Sequence, residues 1–179
     1  MSIWPRGLAQ AFGSGDSRDG FVIMIWTLRV ECIWGIHLEE ECIRVIEIES
    51  ESSLMQLHDV IQDAVDFDRD HLFEFFAGRN WRNRKVLFDD SFHWEDSFEA
   101  YDSITLEEVY PLPKSCKLYY HFDFGDDWYF EIRKSRRKPR EPEAGVSYPR
   151  VVEAIGLSPP QYGRFEEDLD FEILDTEDG

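Results

Sequence analysis

The chain has 179 residues, a formal charge of −19 and a 15% aromatic content. A field of that sign repels phosphate backbones, which excludes generic nucleic-acid binding by the protein as a whole and fits basic partners or plain solubility better. The aromatic content excludes a disordered acidic chain, and the length predicts a single domain with irregular ends.

Residues 1–20 are rich in Gly, Ser, Asp and Arg without periodicity and read as a loose leader. The longest apolar run, FVIMIWTL, is too short to cross a bilayer and follows GSGDSRDG rather than a basic segment, so neither a membrane span nor a signal peptide is expected. From Trp26 the alternation of Leu28, Val30 and Cys32 with Thr27, Arg29 and Glu31 predicts a strand. GIHLEE connects it to a returning strand, CIRVIEIE, whose apolar phase slips between Val45 and Ile46; this predicts a bulge or burial on both faces. The main helix is expected over about 53–65, where Ser53 and Gln56 have capping-box spacing. Leu54, Leu57, Ile61, Ala64 and Val65 share its apolar face.

HLFEFFA and RKVLF read as two further strands, followed by an acidic loop. Thr105 and Glu108 repeat the capping-box spacing and open a short helix that Pro111 and Pro113 end. Next comes a hairpin, with Leu118, Tyr120 and Phe122 alternating on one arm and Trp128, Phe130 and Ile132 on the other. Its turn runs from Phe124 to Asp127, with Gly125 free to take a positive φ. RKSRRKPR, with six basic residues in eight, is expected to be an exposed loop. YPRVVEAIG is predicted as a last short helix, with Pro149 in its first turn and Gly156 at its stop. After the rigid LSPPQYG segment, the domain (21–165) gives way to an acidic tail over 166–179. The three cysteines, Cys32, Cys42 and Cys116, show no CxxC spacing and fit a reduced, cytoplasmic protein. The expected fold is α+β, a mostly antiparallel sheet of five or six strands with one main helix on a face and two shorter helices.

LMQLHDVIQDAV, HLFEF and YHFDFGDDW, in that order, resemble the plasmid pRiA4b Orf-three-like family across most of the chain. The resemblance implies a small α+β domain on a central sheet, in a family some of whose members travel with mobile elements, and it implies no activity. Several polar positions of the family pattern are replaced. Phe73 stands where a second histidine is usual, Tyr129 and Phe130 follow the tryptophan in place of Glu-His, and Gln161, Tyr162 and Gly163 follow the Pro-Pro pair.

Asp123, Asp126 and Asp127, joined by His71, are the candidate ligands for a divalent cation, because Mg²⁺ and Ca²⁺ take carboxylate oxygens. Such a centre supports a metal-dependent hydrolase or nucleic-acid-processing accessory enzyme. The competing reading makes the aspartates turn residues whose side chains accept backbone N–H bonds. DFG and GDD also occur in kinases and viral polymerases, but the accompanying kinase motifs are missing and the chain is far too short for a polymerase. His58 lies beside the apolar face of its helix and reads as a half-buried histidine with one hydrogen bond. A His71–Asp123 pair acts as an acid–base unit if their strands are neighbours. Trp128 reads as a core anchor whose indole N–H is served by a turn carboxylate.

Arg133, Lys134, Arg136, Arg137, Lys138 and Arg140 form a candidate interaction loop. Either the acidic tail docks on it, or the tail captures basic peptides from another protein. The function expected is that of a non-enzymatic, cytosolic protein-interaction module with an acidic surface and a basic protein partner. No membrane contact, no direct nucleic-acid binding and no cofactor beyond a divalent cation at the turn are expected.

Overall fold

A computed structural model describes residues 22–88 and 94–163. The expected leader and acidic tail, with the tail's docking, lie outside these residues. The strands are β1 (Ile25–Trp34), β2 (Cys42–Glu49), β3 (Phe73–Asn80), β4 (Asn83–Leu87), β5 (Lys117–Phe122), β6 (Trp128–Lys134) and β7 (Arg150–Ile155). The helices are α1 (Leu54–Val65), α2 (Trp94–Ser103) and α3 (Leu106–Val109). All seven strands join one antiparallel sheet in the order β4-β3-β5-β6-β1-β2-β7. The α+β class is as expected, but the sheet is larger than five or six strands. Nor does one helix dominate, since α1 has 12 residues and α2 has 10.

α1 begins where Ser53 and Gln56 cap each other reciprocally, and α3 where Thr105 and Glu108 do the same. Even-numbered residues of β1 as far as Cys32 and of β2, with Leu118, Tyr120, Phe122, Trp128, Phe130 and Ile132, point to one face of the sheet. There they meet Leu54, Leu57, Ile61 and Val65 of α1, Tyr101 of α2, and Leu106 and Val109 of α3, so all three helices cover the same face. The opposite face carries a smaller cluster, Phe76, Tyr119 and Tyr129, with Ile33 and Trp81 packed against it.

Two elements differ from expectation. α2 stands where an acidic loop was expected. RVVEAI, expected as a helix, is the edge strand β7 paired with β2. Its run of β-branched residues suits a pleated edge, and the ladder offered by β2 outweighs the weak helical preference of six residues. Gly156 still ends the element, at φ 74°.

The phase slip in β2 has a specific cause. The pairing of β2 with β1 is continuous, and the irregularity at Val45/Ile46 belongs to the β7 side. Arg44 occupies an inward position, which breaks the apolar run. Its Nε donates to the Ala64 carbonyl at the end of α1 (2.7 Å), and its guanidinium also donates to Ile43 O and Gly156 O (2.9 and 3.2 Å) and to Ser158 Oγ (2.9 Å). Among the described residues no helix is long and apolar enough to cross a membrane.

Candidate interaction surface

The strand directions decide which connections meet. Cys32 pairs with Cys42 and with Phe130, Phe73 with Phe122, and Ile43 with Ile155. Residues 35–41, 66–72, 123–127 and 156–163 therefore all lie at the same end of the sheet. Direct bonds join them. Ile36 N donates to Asp126 O (3.2 Å), Asp123 N to Leu72 O (2.9 Å), and the buried Gln161 side chain meets both Asp68 N and Asp70.

Three of these connections each bring three carboxylates: Glu39, Glu40 and Glu41; Asp66, Asp68 and Asp70; Asp123, Asp126 and Asp127. The sole arginine or lysine in the four connections is Arg69, which is tied to Asp59 and Asp63 on α1. The same end exposes Trp34, Ile36, Leu72, Phe124, Leu157 and Tyr162, with Ile36 64% and Leu157 77% accessible. Nine carboxylates, of which Asp123 alone is buried, and six exposed apolar or aromatic side chains thus share one end of the sheet. The opposite end carries the exposed Arg136, Arg137 and Lys138 beyond β6.

The aspartate turn divides its members. Asp123 is buried at φ 53°, and its Oδ1 accepts from Gly125 N (2.9 Å), the turn-residue role. Its Oδ2 lies 3.6 Å from His71 Nε2, so the two strands do bring that pair together. Asp127, at φ 55°, sends Oδ1 to His121 Nε2 (2.9 Å) on the face away from the helices. Asp126 contributes its backbone carbonyl to Ile36 N. Among the described residues no three His, Cys, Asp or Glu side chains gather at metal-ligand spacing.

Sequence reasoning missed the neighbouring cluster on the face opposite the helices. His121 is 4% exposed, with Nδ1 3.0 Å from Glu74 and Nε2 on Asp127. Its ring stacks on Tyr129 (centroids 4.0 Å apart, 8° between planes) and lies 4.7 Å from Phe124. Arg84 adds an ion pair to Glu74 at 2.6 Å. Glu74 and His121 are direct cross-strand partners of β3 and β5, a relation visible only once the register is known. A bulge between Cys32 and Trp34 turns Trp34 out of the inward series and stacks it on Trp81, which leans on Tyr129 (4.8 Å). Tyr162, singled out only as a departure from the family pattern, donates to Asp70 at 2.6 Å. That bond holds the Asp70 carboxyl below its usual range and pushes the Tyr162 phenol up to about 12.

His58 has the single side-chain hydrogen bond expected of it, Nδ1 to Tyr120 OH at 2.6 Å, but it is fully enclosed and stacked on Phe73 (3.8 Å). The acceptor expected for Trp128 is not supplied: its buried Nε1 has no partner among the described residues. The expected six-residue basic loop also divides. Arg133 and Lys134 belong to β6, Arg133 is paired with Glu131, and Arg140 is held by Glu47 (2.8 Å) and Glu143 (2.6 Å).

Residues 32–163 match the plasmid pRiA4b ORF-3-like protein family. The chain belongs to that family. An uncharacterized protein, y4hQ of Sinorhizobium fredii (strain NBRC 101917 / NGR234), is 29% identical over 126 residues, 70% of this chain. The chain covers 60% of the length of that relative. The fold is similar to the crystal structure of a protein of unknown function, MM3350 from Methanosarcina mazei Go1, with a TM-score of 0.59 at 20% identity, covering 79% of this chain and 74% of that one.

Proposed function

We propose that this pRiA4b ORF-3-like chain is a protein-interaction module whose acidic sheet end receives a basic segment that also carries apolar side chains. The carrying observation is the mixture itself: nine carboxylates on three connections, interspersed with exposed Ile36, Leu72, Phe124, Leu157 and Tyr162. Carboxylates alone would serve solubility. Apolar groups left in water among them describe a surface that gains by being covered, with the charges selecting a cationic partner. A metal-assisted hydrolase would require Asp123, Asp126, Asp127 and His71 to converge. Only His71 and Asp123 stand together, while Asp127 is committed to His121, and this favours the interaction reading.

A fluorescent peptide of alternating arginine and leucine, followed by anisotropy, tests the proposal. Replacing Glu39, Glu40 and Glu41 by lysine should weaken binding about tenfold, roughly 1.4 kcal/mol. Charge reversal at Glu51, Glu141 and Glu143, at the other end, changes the net charge equally and should leave affinity close to that of the parent. Ile36→Ser with Leu157→Ser should weaken binding with no change in charge. Equal losses from the two charge-reversed proteins would show attraction to net charge only and would sink the proposal.

A further inference from the structure

Lys134 is the last inward-facing residue of β6. Trp128, Phe130 and Ile132, in the same series, are buried in the core, but at Lys134 the core opens into a cleft of about 500 Å³. The cleft is lined by Trp26, Glu107, Tyr110, Pro111 and Lys134 itself. The Trp26 and Tyr110 rings form two walls at 83° with centroids 5.8 Å apart. The lysine Nζ lies 2.9 Å from the Trp26 centroid and 5.6 Å from that of Tyr110. Among the described residues it takes part in no ion pair with a carboxylate. Burial holds its pKa below the ordinary lysine value against the opposing pull of Glu107. Two to four residues on, Arg136, Arg137 and Lys138 are exposed, and none is ion-paired among the described residues.

Two ligand chemistries compete for such a place. An aromatic box suits an ammonium group. Here the chain's own ammonium already fills the box, and the three exposed cations that follow two to four residues on add positive charge that repels another. An anionic electrophile is served by every part: the cations attract its charge, the rings receive its apolar or planar body, and the amine is at hand. We propose that Lys134 is an imine-forming site for small anionic aldehydes, with the carbonyl end in the Trp26–Tyr110 cleft and the phosphate or carboxylate on Arg136, Arg137 and Lys138.

The step is a condensation. The ammonium leaves the Trp26 face and loses one proton to water. The nitrogen lone pair forms a bond to the carbonyl carbon, the C=O π pair moves to oxygen, and proton transfer from nitrogen to oxygen gives a carbinolamine. Loss of the hydroxyl as water, with a proton taken up from solvent, leaves a protonated C=N bond. Nothing is oxidised or reduced, and water is the sole by-product. Glu107, which lines the cleft and accepts from Ser50 Oγ, is the carboxylate assigned to relay the protons in this step.

The reaction is independent of the acidic end and is tested separately. The chain has five lysines, Lys85, Lys114, Lys117, Lys134 and Lys138, so a label is easily located. The intact protein is exposed to substoichiometric pyridoxal 5′-phosphate, reduced with borohydride and mapped by peptide mass spectrometry. Lys134 should be trapped several-fold faster than each of the other four. Exchanging Arg136, Arg137 and Lys138 for serine should slow trapping of Lys134 by the phosphorylated aldehyde and leave trapping by pyridoxal unchanged. Lys134→Arg keeps a cation over Trp26 and should melt like the parent while losing the dominant label. Even labelling of the five lysines, or a label concentrated on exposed Lys138, would overturn the assignment. So would a serine variant that slows both aldehydes alike.

Discussion

His58 is an imidazole kept neutral by its surroundings. Burial against Phe73 and Tyr120 lowers its pKa from 6.5 to about 4, with Arg69 adding to the effect. Between those values the unfolded chain binds a proton that the folded chain refuses. Stability contributed by neutral His58 is therefore complete above about pH 6.5 and is lost as the pH falls towards about 4, a loss of up to about 3 kcal/mol. Urea unfolding of His58→Gln and of the parent at pH 7, 5.5 and 4.5 separates this residue from the many carboxylates. The difference between the two proteins should shift in favour of the variant as the pH falls, and a constant difference would refute the account. The pairings around the aspartates show what local reading can reach. His71 beside Asp123 follows from guessing that two strands are neighbours. Glu74 on His121 needs the register between residues 47 positions apart, which no local pattern encodes.

At the scale of elements, β7 stands where a helix was expected, and its end tests why the chain holds it there. Gly156 sits at φ 74°, and a Cβ built on it would come 1.6 Å from the Glu41 carbonyl oxygen. Gly145 has a similar φ of 78° but open space around it. Gly156→Ala should thus cost about 2 kcal/mol or more, and Gly145→Ala about 1 kcal/mol. A thermal melt ranks them, and equal losses would mean that β7 is not held against β2 as described. Capping boxes and alternation made β1, β2, α1, α3, β3, β4 and the two arms of the β5–β6 hairpin legible, because each is specified within a few residues, whereas the positive φ expected at Gly125 falls on Asp123 and Asp127 instead. For β7 the deciding term is the free edge of β2, about a hundred residues earlier in the chain. α2 escaped for the opposite reason: WEDSFEAYDS is acidic and weakly amphipathic, and Tyr101 reaching into the core shows a packing role that its composition hides.

For the whole molecule, a charge of −19 says only that cations are attracted, whereas the topology says where. Carboxylates gather where β1, β5 and β7 end, and Arg136, Arg137 and Lys138 lie beyond the end of β6, which runs the opposite way to β1. Binding of the arginine–leucine peptide should weaken steadily with added salt, since the Debye length is about 10 Å at 0.1 M ionic strength. The Glu39, Glu40 and Glu41 lysine variant should show a shallower salt slope. Parallel slopes would place the contact elsewhere on the surface.

Opposite charges at the two ends also give the described residues an electric dipole lying along their strands. A cationic partner arriving from the wrong direction then exerts a torque before it makes contact and rotates the acidic end towards itself. Orientation, usually the slow part of a diffusional search, would be partly settled at a distance. Substitutions on the flanks could cancel much of the net charge and still leave this turning force in place.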